Sequence, residues 1–83
     1  MTRYRVPVAD PLLEQAEAWR LVAGFRLISV DGPWLAHPHV TICTFEDDSA
    51  PPEFEGRLIE PVFHQDERGS VSIIGRQMVT ERA

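Results

Sequence analysis

The side chains of this chain that could do chemistry are concentrated between Gly32 and Asp48, in the segment GPWLAHPHVTICTFEDD. It holds two histidines one residue apart, the single cysteine and a run of acids. His37 precedes a proline, which favours extended backbone. A His-x-His pair on a strand places both imidazoles on one face, about 6.6 Å apart at the backbone. Because metal–nitrogen bonds are about 2.1 Å long, His37 and His39 could share one ion.

A third metal ligand is harder to find nearby. Cys43 lies about 13 Å beyond His39 along a straight strand, and Glu46 falls on the opposite face. His64 is then the remaining candidate, and it requires two adjacent strands in register. The pair resembles the His-x-His of cupins, although the glutamate spacing differs and the second cupin motif is absent. The open alternatives are a metal site of His37, His39 and His64, or histidines that simply mark a strand entry near the surface.

Covalent and cofactor chemistry are not favoured. Cys43 stands among β-branched residues, where a buried, inert thiol is expected, whereas reactive thiols lie at helix N-termini or in electropositive clefts. With one cysteine there is neither an intrachain disulfide nor a cysteine framework for structural zinc. All eight basic residues are arginine, which excludes lysine-dependent chemistry. No nucleotide-binding, nucleophile-elbow or metalloprotease motif appears, and we expect no cofactor.

Acids and a tryptophan are the candidates for contact with a partner. The segment 46–56, EDDSAPPEFEG, combines five acids with two prolines and predicts an exposed, partly extended loop. It is either a solvated loop or an acidic patch for a basic partner. Trp34 follows a Gly-Pro turn and is either a core residue or an exposed interface anchor. The candidate partner-binding residues are Trp34, Glu46, Asp47, Asp48, Glu53 and Glu55.

The charge distribution disfavours nucleic acid. The formal net charge is −5. Residues 1–42 carry four arginines and four acids, whereas residues 43–83 carry four arginines and nine acids. Phosphate backbones repel such a domain unless its arginines cluster in space. No apolar run approaches the length of a membrane span and no targeting segment is visible, so the expected location is the cytoplasm.

The elements that must position these residues are one helix and several strands. Asp10-Pro11 predicts a helix start, with apolar residues at helical spacing up to Ala23 and Gly24 as the C-terminal cap. β-Branched and aromatic runs separated by turn residues predict strands. The predicted elements are a helix over about 11–23 and strands over about 25–30, 39–45, 57–64 and 70–81, with TRYRVPV as a further short edge strand.

Eighty-three residues make one domain of α+β class. We expect an N-terminal helix followed by a small, strongly bent antiparallel sheet or barrel of four to five strands, SH3-like or Sm-like. The stretches ADPLL and LISVDGPWL resemble the opening of the bacterial Sm-like RNA chaperones. None of that family's RNA-reading motifs is matched further along the chain.

A chain of this length buries only about 60–65% of its unfolded surface. The leading expectation is therefore a non-catalytic protein-binding module, such as an adaptor, accessory subunit or inhibitor, that self-associates through a strand edge or Trp34. Two alternatives stay open. One is a metal-dependent small-molecule binder or enzyme that uses the three histidines. The other is an Sm-like RNA-binding barrel with a ring of arginines at Arg26, Arg57 and Arg76.

Overall fold

The computed structural model describes residues 1–19 and 22–80. Five strands account for most of this part of the chain: β1 (Thr2–Ala9), β2 (Phe25–Pro33), β3 (Val40–Asp47), β4 (Ile59–Gln65) and β5 (Val71–Met78). In the same part of the chain a short helix, α1 (Leu13–Ala18), follows a 3-10 turn at Asp10–Leu12, and another 3-10 turn spans Pro52–Phe54. The prediction of a mostly antiparallel α+β domain is confirmed at this level.

The first sheet has three strands in the order β1-β3-β2, all antiparallel. Alternation along β1 is strict, with Tyr4, Val6 and Val8 buried on the core face. Cys43 and Phe45 share that face because they lie opposite Val6 and Tyr4 in the register. The β-branched run of β3 thus forms the centre of the sheet, where both neighbours complete its hydrogen bonds.

The second sheet is the β4–β5 hairpin. Its register shifts by one residue between Val62 and Phe63, which leaves Ile74 as an extra residue, a bulge, beside Gly75. The two sheets do not close into a barrel, and that part of the prediction was wrong. A parallel bridge between Arg5 and Leu58 joins the two sheets, at the point where the segment before β4 meets β1.

The core lies between the two sheets and contains a group of aromatic rings in contact. Phe25 stacks on Phe45 with ring centroids 4.5 Å apart. Trp19 lies 5.8 Å from Phe45 and 5.0 Å from Phe63, so one indole contacts both sheets. Such ring pairs add to the free energy gained from buried area. The core therefore depends on the residue that follows α1.

The helix is much shorter than predicted. The expected span 11–23 contains the end of a 3-10 turn and α1, and its positions 20 and 21 lie outside the described residues. Beyond them the Val22 N–H donates to Trp19 O at 2.9 Å and the Phe25 N–H to Val22 O at 3.1 Å. These tighter bonds turn the chain back so that Phe25 can pair opposite Asp47 on β3. The predicted positive φ at Gly24 is present, at 77°.

The N-terminal cap also differs from the expectation. Ala9, not Asp10, precedes the first turn, and it makes no side-chain capping bond. The Asp10 carboxylate instead accepts a hydrogen bond from the Thr41 hydroxyl at 2.6 Å. The aspartate is thus used to hold the turn to β3.

Candidate functional site

A buried polar cluster lies where the hairpin meets the three-stranded sheet. Asp47, at the end of β3, is 1% exposed. Its carboxylate accepts hydrogen bonds from the Tyr4 hydroxyl at 2.6 Å and from Arg76 at 2.6 and 3.0 Å. The Ser49 N–H donates to it at 3.0 Å. The cluster links β1, β3 and β5 through one carboxylate.

The charges in this cluster are stabilised by one another. Burial alone would raise the pKa of Asp47, but the hydrogen bonds from Arg76, Tyr4 and Ser49 outweigh it and hold the pKa below its ordinary value. The Asp47 hydrogen bond raises the pKa of Arg76. Burial, reinforced by Asp47, raises the pKa of Tyr4 well above its ordinary range. Every group keeps its charge state near neutral pH, so the cluster is suited to holding strands together rather than to proton transfer.

A second ion-pair group crosses the outer face of the three-stranded sheet. Arg3, Glu46 and Arg26 are register partners on β1, β3 and β2. The Glu46 carboxylate accepts hydrogen bonds from Arg3 at 3.0 Å and from Arg26. The Arg3 hydrogen bond is the main reason that the pKa of Glu46 lies below its ordinary value. Both arginines remain more than half exposed.

The predicted acidic surface is therefore smaller than expected. Glu46 and Asp47 are the last residues of β3, not the start of a loop, and both are buried in ion pairs. They lie within the sheet and not in the predicted loop, and their assignment as partner-binding residues stays a prediction. Asp48, Glu53 and Glu55 are exposed. Glu55 accepts a hydrogen bond from the Arg3 N–H at 2.8 Å, so the segment is tied to β1 at that point.

The predicted metal ligands are not brought together. His37 and His39 lie in the β2–β3 loop, exposed, while His64 is exposed on β4 in the other sheet. In residues 1–19 and 22–80, no group of three or more His, Cys, Asp or Glu side chains could hold a metal ion. Of the three arginines of the predicted ring, Arg76 forms an ion pair with Asp47 and Arg26 forms one with Glu46.

Trp34 lies in the β2–β3 loop and is half-buried. Its ring lies against that of His37, with centroids 4.5 Å apart and the planes tilted by 52°. The neighbouring Leu35 is 96% exposed. The loop thus presents an aromatic pair and one apolar side chain to solvent.

The thiol of Cys43 is fully buried in the core. Burial, with a smaller contribution from the charge of Asp31, raises its pKa. A protonated, buried thiol is a poor nucleophile. The position matches the expectation of a structural cysteine.

The edges of the two sheets differ in character. β2 carries two register shifts along its length, and Asp31, Gly32 and Pro33 lie at its end. Bulges, charges and proline are the features by which sheet edges avoid pairing with other chains. β5 has one register shift and no proline. Its single charged residue, Arg76, is turned inward to Asp47.

The exposed side chains of β5 are mostly apolar. Ile74 is 65% exposed, Met78 56% and Val71 38%. On β4, Val62 is 37% exposed and lies opposite Gly75. The outer part of the hairpin is therefore an apolar surface beside an unprotected strand edge.

Comparison with known protein families, with curated proteins and with solved structures finds no match to this chain. Over the part that the structure describes, no helix is long and apolar enough to cross a membrane.

The sequence interpretation missed the pairing of Asp47 with Arg76. A signal was present, because Cys43, Phe45 and Asp47 alternate along a strand whose core face is apolar. An acid on that buried face requires a buried cation as its partner, because burying an unpaired charge is costly. Continuing the alternation beyond Phe45 would have identified Asp47 as buried, although not its partner.

Proposed function

We propose that this protein is a small, non-catalytic protein-binding module that self-associates, with β5 of one copy pairing along β5 of a second copy. The observation that carries the proposal is the edge of β5, which lacks proline and outward-pointing charge. An edge strand presents unpaired N–H and C=O groups, which are a template for another strand. Strand addition of this kind is a recurrent mode of protein recognition.

The architecture favours extension of this particular sheet. A two-stranded hairpin alone is only marginally stable in water. A sheet of three or more strands with an apolar face can be stable on its own. Pairing two copies of β5 across a two-fold axis would convert two hairpins into one four-stranded sheet. The same patch then serves both subunits, as closed dimers require.

The apolar side chains next to the edge support the same interface. Ile74 projects from the bulge and is 65% exposed. In a symmetric dimer it would be buried together with Val62 of the same hairpin, and burial of apolar area is the main favourable contribution to association. In residues 1–19 and 22–80 no cluster of His, Cys, Asp and Glu could hold a metal ion, so nothing there supports the alternative of a metal site over that of a dimer interface.

Ile74→Lys tests the proposal, with Ile28→Lys as the matched control. Both isoleucines are exposed extra residues at register shifts, Ile28 on the edge strand β2 and Ile74 on the edge strand β5. We expect sedimentation velocity to show a wild-type dimer in the micromolar range. Lysine at position 74 should weaken dimerisation by about tenfold or more, because it places a charge against the edge, whereas lysine at position 28 should leave the dimer intact.

Circular dichroism and urea unfolding of each variant check that the fold is retained. A wild-type chain that is strictly monomeric at several hundred micromolar would overturn the proposal. So would dissociation by Ile28→Lys with an unchanged Ile74→Lys dimer, since that result would assign the interface to β2.

A further inference from the structure

We infer that the second copy docks on β5 in one register, with the two-fold axis at Gln77, so that its Met78 covers the ion pair of Asp47 and Arg76. The inference rests on the proposed function. To the strand edge described there it adds the segment that pairs and the side chains that meet. It also gives the buried Asp47 cluster a part in association.

The hydrogen bonds of the hairpin show which backbone groups of β5 are free. The Val79 N–H donates to Leu58 O at 2.9 Å, so the backbone of Val79 faces β4. Backbone direction alternates along an antiparallel strand. Gln77 therefore also faces β4, whereas Arg76 and Met78 present their N–H and C=O groups to the other side. Within the part of the chain that the structure describes, β5 pairs with β4 alone, so that other side is a free edge.

The bulge at Ile74 determines the register. Ile74 is an extra residue in the ladder between β4 and β5, and regular pairing is interrupted there. From Gly75 to Val79 the ladder is regular, since the Val79 N–H still bonds to the segment before β4. Two antiparallel strands related by a two-fold axis pair through a segment that is centred on the axis. The centre of the segment 75–79 is Gln77, and a centre one residue earlier would bring the bulge into the pairing.

In this register Met78 of one copy lies directly opposite Arg76 of the other. Opposite residues on neighbouring antiparallel strands project their side chains to the same face of the sheet. Within the hairpin, Arg76 lies opposite Pro61 and Met78 opposite Ile59, and both of these β4 residues are buried. The shared face is therefore the core side of the hairpin, where Arg76 bonds to Asp47.

Association would remove water from both sides of this contact. Met78 is 56% exposed in the single copy, and the Arg76 side chain keeps 17% exposure beside Asp47. A flexible methionine side chain can adapt to the apolar stem of an arginine. Because two hydrogen bonds from Arg76 to Asp47 already compensate the guanidinium charge, covering Arg76 leaves no unpaired charge in the interface.

Disulfide trapping tests the register. Residues on the axis form a non-hydrogen-bonded pair with Cα atoms about 4.5 Å apart, within the range of about 4.4–6.8 Å that a disulfide spans. Under mild oxidation, Gln77→Cys should form an intermolecular disulfide about tenfold faster or more than Glu60→Cys. The latter is the matched control, because Glu60 and Gln77 are both exposed and lie opposite each other in the hairpin. The native Cys43 is buried and does not compete.

A pair of serine variants tests the contact with the ion pair. Val71 and Met78 are exposed apolar residues at the two ends of β5, but Val71 lies outside the segment 75–79. Sedimentation velocity should show dimerisation that is about tenfold or more weaker for Met78→Ser and unchanged for Val71→Ser. Circular dichroism of each variant checks that the fold is retained.

The outcomes separate the register from the proposed function. If the wild type dimerises but Gln77→Cys is trapped no faster than Glu60→Cys, the register is overturned. The β5 dimer itself still stands in that case, provided that Ile74→Lys dissociates it. Faster trapping of Ser72→Cys than of Gln77→Cys would also overturn the register, since it would place the axis on the other side of the bulge.

The contact with the ion pair has its own refutation. Equal dimerisation by Met78→Ser and Val71→Ser would show that Met78 does not cover Arg76 of the second copy. A wild-type chain that stays monomeric at several hundred micromolar would overturn this inference together with the proposed function.

Discussion

Replacing Asp47 by asparagine should destabilise the fold far more than the same change at the neighbouring acid. Asn keeps the shape of the side chain but removes the charge that faces Arg76, whose own side chain is only 17% exposed. Removing one partner of a buried ion pair costs about 3–5 kcal/mol, because the other charge stays buried without compensation. Since Arg76 retains some solvent contact, we expect the lower end, about 3 kcal/mol.

That loss is large for a domain of this size. At about 0.05–0.15 kcal/mol per residue, the whole chain is stable by about 4–12 kcal/mol. With a urea dependence of about 1–3 kcal/mol per molar, the unfolding midpoint of Asp47→Asn should fall by about 1–3 M. Tryptophan fluorescence is a suitable signal, because Trp19 packs against Phe45 of one sheet and Phe63 of the other. All variants are compared at one protein concentration, since dimerisation would shift the midpoints.

Glu46→Gln is the matched control, since it makes the same change of an acid to its amide one residue away. The partners of Glu46 are arginines that are more than half exposed, so water can solvate them when the carboxylate is lost. Its midpoint should shift much less than that of Asp47→Asn. Equal shifts for the two variants would refute the buried-pair reasoning. If Asp47→Asn does not fold, Tyr4→Phe, which removes one hydrogen bond to Asp47, should still cost about 1 kcal/mol.

Two further predictions concern the stability of the fold at low pH and the backbone conformation at two glycines. Because the pKa of Asp47 is lowered on folding, its contribution to stability is complete above the unfolded value of about 3.9 and is lost as pH falls through the folded value. Urea midpoints of the wild type measured from pH 7 downward should therefore drop more steeply below about pH 5 than those of Asp47→Asn, and parallel curves would contradict this. Gly24→Ala should cost more than Gly56→Ala in the same urea assay. Both glycines have positive φ, 77° and 73°, which costs alanine about 1–2 kcal/mol, but only at Gly24 would the new Cβ lie 3.3 Å from Asp48. An equal loss at the two glycines would contradict the crowding at Asp48.

The strands could be predicted from the sequence because their signals are local. The β-branched run from Val40 to Phe45 and the turn residues around Gly69 are sufficient to place β3 and the β4–β5 turn. The ends of the strands are harder to predict. β3 continues through Glu46 and Asp47, whose charges indicate a loop unless their partners are known.

The helix and the barrel could not be predicted for a different reason. Apolar spacing from Leu12 to Ala23 is compatible with a continuous helix, but tertiary structure requires Phe25 to return to β3 opposite Asp47. The closure of strands into a barrel depends on which edges meet, and within residues 1–19 and 22–80 the bridge between the two sheets is the pair Arg5 and Leu58. Pairings between residues far apart in the chain leave no local signal. The partners of Asp47 are hidden for the same reason.

The position of β1 between β3 and Leu58 determines when β1 can find its partners during synthesis. Both neighbours of β1 are encoded after it, β3 at Val40–Asp47 and the bridging residue at position 58. At about 5–20 residues per second, the ribosome needs about 2–10 s to deliver them. The β4–β5 hairpin, by contrast, closes on its own sequence within microseconds. Until β3 arrives, the apolar side chains of Tyr4, Val6 and Val8 have no strand to cover them and stay exposed to water on the nascent chain.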